Sequence, residues 1–303
     1  MEMENILITG GSGTLGHALA KRLYNECDIT IYSRSEYLQA QMRKEYPDCR
    51  YVLGDVRDYG RLHAAIAGHD TVIHAAAMKR LPECEAQPSE CWQTNVMGSE
   101  NVALACISNG VNRCVGISTD KACQAVTMYG ASKLAMERVF QAQPKNATVF
   151  TLVRYGNVLE SRGSVIPFWR SQVAAGRPVT ITDYRMSRFW MTPREAVDLV
   201  MATLELEFIS GGEVLVPKMK GLPVVKMAEY AIGADHDMTE IGLRSMERLH
   251  EWLVGPDELV LEEAPDSFLL SSTHGESGHN WRSDTAPELS EAEFMAMLGE
   301  VEA

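Results

Sequence analysis

The sequence lacks any long hydrophobic run. No stretch in its 303 residues approaches the roughly 18 apolar residues that a membrane span needs. The chain begins with Met1 to Glu4, an acidic start where a secretory signal peptide would be basic. These two absences predict a cytoplasmic protein with no membrane partner.

Positive charge is scarce as well. The formal net charge is −13, so a polyanion would be repelled except at a local basic pocket, and nucleic acid is not an expected partner. The 7 cysteines all fall in the first half of the chain, and none form a C-x-x-C pair. We therefore expect reduced thiols and no metal site.

Short β-branched runs alternate with amphipathic stretches through the first half of the chain. This alternation predicts an α/β fold with a Rossmann-like, doubly wound parallel sheet. The predicted strands are Ile6 to Thr9, Ile29 to Tyr32, Tyr51 to Leu53, Thr71 to His74, Val115 to Ser118 and Val149 to Val153. The predicted crossover helices are Leu15 to Tyr24, Glu90 to Ser108 and Met128 to Gln141.

The alternation loosens after about Gly156. We predict a first domain over residues 1–155 and a smaller lobe mainly over 156–303, from which some segments return to the first domain. Further elements are expected at Val214 to Pro217, Val224 to Ile232 and Leu249 to Leu253. Turn-forming residues in Glu262 to Ala286 predict irregular structure before a last short helix near Ser290 to Leu298.

A glycine-rich loop follows the first predicted strand and opens a helix. Gly10, Gly13 and Gly16 are spaced three apart. The first permits a tight turn, the second lets backbone N–H groups approach a pyrophosphate, and the third lets the helix pack against the strand. The predicted dinucleotide-binding residues here are Thr9, Gly10, Gly13, Thr14, Leu15 and Gly16.

The second predicted strand ends with Ser33 and Arg34, where an NAD enzyme would usually carry an acidic residue that binds the ribose hydroxyls. A guanidinium and serine hydroxyls suit a 2′-phosphate, which favours NADP over NAD as the cofactor of the first domain. Asp55, followed by Val56 after the third strand, either binds the adenine amine or only begins a turn.

Two polar clusters follow the fifth predicted strand. The first is Ser118-Thr119-Asp120-Lys121, and the second places Tyr129 and Lys133 four residues apart on one helical face. A tyrosine hydroxyl has an ordinary pKa near 10, too high for a base at neutral pH. We expect Lys133 and a cationic nicotinamide to lower that pKa, so that the pair oxidises an alcohol.

Motifs along nearly the whole chain resemble one family. They are His74 to Lys79, Ser118 to Ala122, Val153 to Val158, Ser161 to Phe168, Met186 to Thr192, Val216 to Met219, Ile241 to Arg244 and Leu249 to Glu251. Together with the glycine loop and the Tyr/Lys pair, they resemble extended short-chain dehydrogenase/reductases of the polysaccharide biosynthesis family. The resemblance is to UDP-N-acetylglucosamine 4,6-dehydratases that invert C5 and open pseudaminic acid biosynthesis. It implies an NADP-dependent hydro-lyase that forms a homo-oligomer, a dimer or larger.

The resemblance also implies catalytic roles. Tyr129 would take the proton from the sugar O4 while hydride leaves C4 for NADP, with Thr119 hydrogen-bonded to that hydroxyl. Lys121 would then remove the C5 hydrogen and Asp120 would protonate the departing C6 hydroxyl, after which the hydride returns to C6. The implied cofactor contacts in the fourth strand's loop are Ala75, Ala76 and Lys79.

The dehydration step requires unusual protonation states. Lys121 must be partly neutral and Asp120 partly protonated, and we expect burial to shift both pKa values that way. Because neighbours on an extended strand point to opposite sides, the two side chains would address different sugar atoms.

A UDP-sugar carries a diphosphate, so an acidic protein must gather cations locally. The expected cations are Arg162, Arg188 and Arg244. The resemblance adds substrate contacts from Lys79, Asn157, Ser164, Val165, Pro167 and Glu247.

The chain departs from the family pattern at Ala125, Thr127, Glu160 and Ser245-Met246, which predicts a differently shaped sugar pocket. A UDP-sugar 5,6-dehydratase and a 4-epimerase use the same oxidation site, but an epimerase needs no acid–base pair such as Asp120-Lys121. A hypothesis of another class is an NADP-sensing regulator, which could dispense with the catalytic side chains.

Overall fold

The computed structural model describes residues 4–144, 148–159, 164–206, 211–244, 246–275 and 278–302. The strands in these ranges are β1 (Asn5–Thr9), β2 (Asp28–Ser33), β3 (Arg50–Leu53), β4 (Thr71–His74), β5 (Arg113–Ile117), β6 (Val149–Val153), β7 (Asn157–Val158), β8 (Val179–Ile181), β9 (Ser187–Met191), β10 (Val214–Pro217), β11 (Gly221–Pro223), β12 (Met238–Glu240), β13 (Trp252–Val254), β14 (Glu258–Glu263), β15 (Ser267–His274) and β16 (Trp281–Arg282).

The helices in the same ranges are α1 (Thr14–Leu23), α2 (Glu36–Glu45), α3 (Tyr59–Ile66), α4 (Leu81–Ala86), α5 (Pro88–Trp92), α6 (Gly98–Asn109), α7 (Met128–Gln141), α8 (Val165–Ala174), α9 (Pro193–Glu205), α10 (Val224–Ile232) and α11 (Glu291–Glu302). A π-helical stretch, Gln93–Met97, joins α5 to α6, so the single helix predicted over Glu90 to Ser108 has three parts. No helix in the described residues is both long and apolar enough to cross a membrane.

Nine of the described strands form one large sheet in the order β14-β15-β10-β6-β5-β4-β1-β2-β3. The strands from β3 to β10 in this order pair in parallel, and β15 and β14 add antiparallel at one edge. The predicted α/β fold with a doubly wound parallel sheet is therefore confirmed. The strand order reverses between β1 and β4: β2 and β3 follow on one side of β1, whereas β4, β5 and β6 follow on the other. In doubly wound sheets, ligands bind at this point, outside the carboxyl ends of the strands.

The C-terminal half contributes to the large sheet and also forms a second apolar core. The core buries Trp169 on α8, Met227 on α10 and Phe294 on α11. The prediction of irregular structure over Glu262 to Ala286 was wrong, because β15 pairs with β10 and β14. Turn-forming residues are tolerated in this segment because strand formation depends on pairing and packing against the neighbouring strands more than on local residue preference. The division at residues 155 and 156 stays a prediction.

Candidate active site

One cavity of about 1240 Å³ runs from the glycine loop after β1 to the segment between β12 and β13. Sites for one small ligand usually measure about 300–1,000 Å³, so this cavity has room for more than one. The predicted site residues that line it are Gly10, Gly13, Thr14, Leu15, Gly16, Ser33, Arg34, Asp55, Val56, Ala75, Ala76, Lys79, Thr119, Lys121, Tyr129, Lys133, Asn157, Ser164, Val165, Pro167, Arg188, Arg244 and Glu247. Thr9 and Asp120 lie behind the lining, and Arg162 lies outside the described residues.

The glycine loop leaves no space for a side chain at Gly10 or Gly16. Gly10 has a φ of +67°, and a Cβ added to it would lie 2.8 Å from the backbone N of Ala76. A Cβ on Gly16 would lie 2.4 Å from Cα of Gly11, because α1 begins directly against the loop. The result is a cradle of backbone at the N-terminus of α1, which fits the pyrophosphate of a nicotinamide dinucleotide.

Thr9 supports this loop from beneath. Its side chain is fully buried, and its Oγ1 lies 2.7 Å from Nδ1 of His74 and accepts a hydrogen bond from the N–H of Ala76 at 3.3 Å. Burial lowers the pKa of His74 to about 3, so the imidazole is neutral. Thr9 was predicted to contact the cofactor. Its burial against His74 shows that it supports the loop, and its contact with the cofactor stays a prediction.

Three charged side chains meet where β2 and β3 end. The Arg34 side chain is 55% exposed, and its Nη1 lies 3.8 Å from Oδ2 of Asp55. Arg57 binds the same Asp55 oxygen at 2.7 Å. Burial acts to raise the pKa of Asp55, but the hydrogen bonds from Arg57 outweigh it and hold the pKa below its ordinary value. The carboxylate is therefore an ionised acceptor already engaged by arginine.

Close packing joins α7 to the turn that follows β5. Thr127 caps α7 by accepting a hydrogen bond from the N–H of Gly130 at 2.9 Å. A Cβ on Gly130 would lie 2.2 Å from the carbonyl O of Lys121, so only glycine allows this approach. The packing brings Tyr129, at the start of α7, beside the polar residues of the turn.

Thr119, Asp120 and Lys121 form a hydrogen-bonded cluster on this turn. Oδ1 of Asp120 accepts from Oγ1 of Thr119 at 2.9 Å and from Nζ of Lys121 at 2.9 Å. Oδ2 of Asp120 is buried and has no hydrogen-bond partner in the described part of the chain. The prediction that the Asp120 and Lys121 side chains point to opposite sides was wrong. β5 ends at Ile117, and a 3₁₀ turn over Asp120–Ala122 brings the two side chains together.

Burial raises the pKa of Tyr129 to about 12, against the charge of Lys121 and a hydrogen bond with Thr119. Lys133 was expected to lower the pKa of Tyr129, but its Nζ lies 3.1 Å from Sδ of Met136. Burial lowers the pKa of Lys133 itself to about 8. Lys121 is therefore the principal cation acting on the phenol in this structure.

Lys121 is more firmly charged than expected. Burial acts to lower its pKa, but the carboxylates of Asp120 and Glu251 outweigh burial and raise it. The Glu251 Oε1 lies 3.6 Å from the Lys121 Nζ. The prediction of a partly neutral Lys121 was wrong for the free protein, because it considered burial without the second carboxylate.

The far end of the cavity begins at α8. Ser164 precedes this helix, and its Oγ is buried without a hydrogen-bond partner in the described residues. Asn157 lies on β7 and donates from Nδ2 to the carbonyl O of Phe189 at 3.1 Å. An unsatisfied hydroxyl beside the backbone N–H groups of a helix N-terminus suits an anionic or carbonyl ligand. Glu160 and Ser245 lie outside the described residues.

Arg188 on β9 holds the segment over residues 247–251. Its Nη1 donates to the carbonyl O of Leu249 at 3.0 Å, and its Nη2 donates to that of Arg248 at 2.9 Å. Nη2 also lies 3.7 Å from Oε1 of Glu247. A phosphate bound at Arg188 would share these N–H donors with the segment over residues 247–251. Arg244, by contrast, is exposed at the rim of the cavity.

The predicted site residues do not include the carboxylates packed beside the cavity. Glu251 is one, and Glu137 and Glu258 are two more, which bind Arg154 at 2.8 Å and 2.7 Å in an ion-pair network. Glu137 also accepts a hydrogen bond from Oγ of Ser118 at 2.5 Å. Arg154 and Glu258 are 104 residues apart, and no local spacing signals such a pair.

The parallel sheet, the glycine loop at β1 and the Tyr/Lys pair at the start of α7 have the arrangement expected from the resemblance to extended short-chain dehydrogenase/reductases. The chain belongs to the polysaccharide biosynthesis protein family, whose model matches residues 6–272. The family predicted from the motifs is thus confirmed.

Individual relatives have informative names. The chain is 43% identical over 265 residues to a UDP-N-acetylglucosamine 4,6-dehydratase (inverting) from Campylobacter jejuni, covering 84% of this chain and 78% of that protein. It is 37% identical over 275 residues to a UDP-glucose 4-epimerase from Rickettsia canadensis, covering 86% and 80%. The X-ray structure of Pen from Bacillus thuringiensis has a TM-score of 0.90 at 33% identity, covering 99% of this chain and 98% of that one.

Proposed function

We propose that this chain dehydrates UDP-N-acetylglucosamine to a 4-keto-6-deoxy sugar nucleotide with inversion at C5, for surface glycan or pseudaminic acid type biosynthesis. The observation that carries the proposal is that Thr119, Lys121 and Tyr129 line one wall of the cavity, with Asp120 directly behind it and hydrogen-bonded to Thr119 and Lys121. That wall lies between a dinucleotide cradle and the arginines of the far end. The similarity to the Campylobacter jejuni dehydratase supports the choice of substrate.

The first step uses Tyr129. When bound, the nicotinamide supplies reversible oxidation and reduction of the sugar. Tyr129 takes the O4 proton. Burial raises its pKa to about 12, and the charge of Lys121 and the hydrogen bond with Thr119 oppose that rise and so lower the cost of forming the phenolate. The resulting 4-ketone makes the C5 hydrogen acidic.

One proton transfer prepares the elimination. A proton that passes from Nζ of Lys121 to Oδ1 of Asp120, across 2.9 Å, leaves a neutral amine and a protonated carboxyl. These are the forms that a base at C5 and an acid at the C6 hydroxyl need.

We also propose NADP as the cofactor, bound mainly by residues 1–155, with the sugar nucleotide bound mainly by residues 156–303. The exposed Arg34 guanidinium at the end of β2 supports a 2′-phosphate there, since Asp55 engages it only at 3.8 Å. We further propose that the chain forms a homo-oligomer and acts in the cytoplasm.

Incubation with UDP-N-acetylglucosamine tests the activity. We expect a product lighter by one water, with no net NADPH formed. In deuterated solvent, NMR should show one deuterium at C5 and inverted configuration there. Retained configuration would contradict inversion, and a product of unchanged mass would contradict dehydration.

A 4-epimerase is the second candidate, favoured by the 37% identical Rickettsia canadensis relative. It would give an isomer of the substrate with no solvent deuterium at C5. A 5,6-dehydratase would give the mass loss without reduction at C6. No change in any UDP-hexose, with NADP still bound, would favour the non-catalytic sensor.

A further inference from the structure

Glu251 contacts the proposed base but has no part in the reaction described above. The residue is 5% exposed and lies directly before β13. Its Oε1 lies 3.6 Å from Nζ of Lys121 and 3.9 Å from Nε of Arg188. It therefore joins the turn after β5 to strand β9.

The backbone holds Glu251 in place. Its N–H donates to Oγ of Ser283 at 3.0 Å, and the N–H of Ser283 donates to the carbonyl O of Glu251 at 2.9 Å. Oγ of Ser283 lies 2.7 Å from Oγ of Ser187 on β9. Because hydrogen bonds to two neighbouring segments fix this backbone, the position of the carboxylate is fixed as well.

Several charges face the Glu251 carboxylate. Lys121 and Asp120 approach from the turn after β5, Arg188 from β9, and Arg248 from its own segment. Burial raises the pKa of Glu251, and the three cations oppose that rise. The carboxylate therefore lies among three cations, while burial keeps its pKa above the ordinary value.

We infer that Glu251 is a positioning residue that stabilises the ammonium formed when Lys121 removes the C5 proton. The inference rests on the proposed function. When the C5–H bond breaks, the proton passes to Nζ and the electron pair remains on the sugar as the enolate of the 4-ketone. Nζ then gains its positive charge 3.6 Å from Oε1 of Glu251. A carboxylate already in position stabilises that charge without reorganisation.

Two variants separate charge from shape, Glu251→Gln and Glu251→Asp. For E251Q we expect kcat to fall at least about tenfold, since removing one preorganised electrostatic group commonly costs more than that. The kinetic isotope effect with C5-deuterated UDP-N-acetylglucosamine should rise, and that with C4-deuterated substrate should fall. The acid limb of the kcat–pH profile should move to lower pH, because Lys121 loses a carboxylate that raises its pKa. E251D should keep that limb near its wild-type position.

Glu247→Gln is the matched control. Glu247 lies on the same segment and 3.7 Å from the same Arg188 guanidinium, so E247Q should change KM for the UDP-sugar and leave the C5 isotope effect at the wild-type value. Wild-type kcat and C5 isotope effect in E251Q would overturn the inference, as would a change in KM alone. If circular dichroism shows that E251Q does not fold, the C5 isotope effect of E251D becomes the test. The shorter aspartate side chain lies farther from Lys121, so this isotope effect should also rise. Failure of the proposed function is distinct, because the wild-type enzyme would then release no water.

Discussion

The two ends of the cavity are built in different ways. At the dinucleotide end, backbone makes the cradle, as where Gly10 and Gly16 allow the loop, the segment after β4 and α1 to approach. At the sugar end, side chains from distant segments meet, as where Lys121 lies near Glu251. The first end depends on local conformation and the second on charges held together by tertiary packing. Substitutions should therefore separate into those that change cofactor binding and those that change chemistry or folding.

Lys121→Met should give the largest effect, at the sugar end. Loss of the general base should lower kcat for dehydration by about 10²–10⁴-fold. Binding of NADP, followed by fluorescence titration, should stay within about twofold of wild type, since the lysine is not one of the predicted dinucleotide-binding residues. A kcat within tenfold of wild type would show that another group removes the C5 proton.

Arg154→Met tests the packing beneath the sugar end. The change leaves Glu137 and Glu258 buried without their counter-charge, which should lower the free energy of unfolding by about 3–5 kcal/mol in urea denaturation. The control is Arg194→Met, whose side chain is 76% exposed and lies 3.9 Å from the 61% exposed side chain of Asp198. That variant should lose only about 0–1 kcal/mol. Equal losses in the two variants would show that the buried network contributes no more to the free energy of unfolding than a surface ion pair.

Arg34→Ala tests the dinucleotide end. Loss of a charged hydrogen bond of about 1.5–3 kcal/mol should raise the Kd for NADP by about 10–100-fold. The Kd for NAD should stay near its wild-type value, because NAD lacks the 2′-phosphate. Equal weakening of both cofactors in titration would remove the basis for NADP preference.

Lys133→Met should show the smallest effect, a change in how the free energy of unfolding depends on pH. The pKa of Lys133 is lowered by burial to about 8 in the folded protein and is about 10.4 in an unfolded chain. Between these values the unfolded state binds more protons, so this lysine makes stability rise with pH, by up to about 1.4 kcal/mol per pH unit. The free energy of unfolding of cofactor-free wild type, minus that of K133M, should therefore increase by about 1 kcal/mol from pH 8 to pH 9. A constant difference would place the Lys133 pKa elsewhere.

The first half of the fold was predictable because its signals are local. The bounds predicted for β4, β6 and α7 agree with the structure, since each element has a β-branched run or a helical repeat with polar ends. Strand β15 was missed, because its stability depends on pairing with β10. The helix predicted over Glu90 to Ser108 was split by a π-helical stretch that periodicity does not show.

The candidate site divides in the same way. The Tyr129 and Lys133 spacing indicated one helical face, and both side chains line the cavity. The relation of Asp120 to Lys121 was predicted wrongly, because the backbone turns after Ile117. Glu251 belongs to one of the motifs of the family resemblance, Leu249 to Glu251, but no local spacing indicated its approach to Lys121, which lies far away along the chain.

By itself the sequence determined the parallel sheet, the glycine loop and the residue types for oxidation and proton transfer. Backbone preference and hydrophobic period act over a few residues, so they can be read along the chain. Tertiary structure alone decided that Lys121 is charged in the free protein and that Arg188 holds the 247–251 segment. The physical reason is that pKa values and ion pairs depend on burial and on distances through space, and folding sets both.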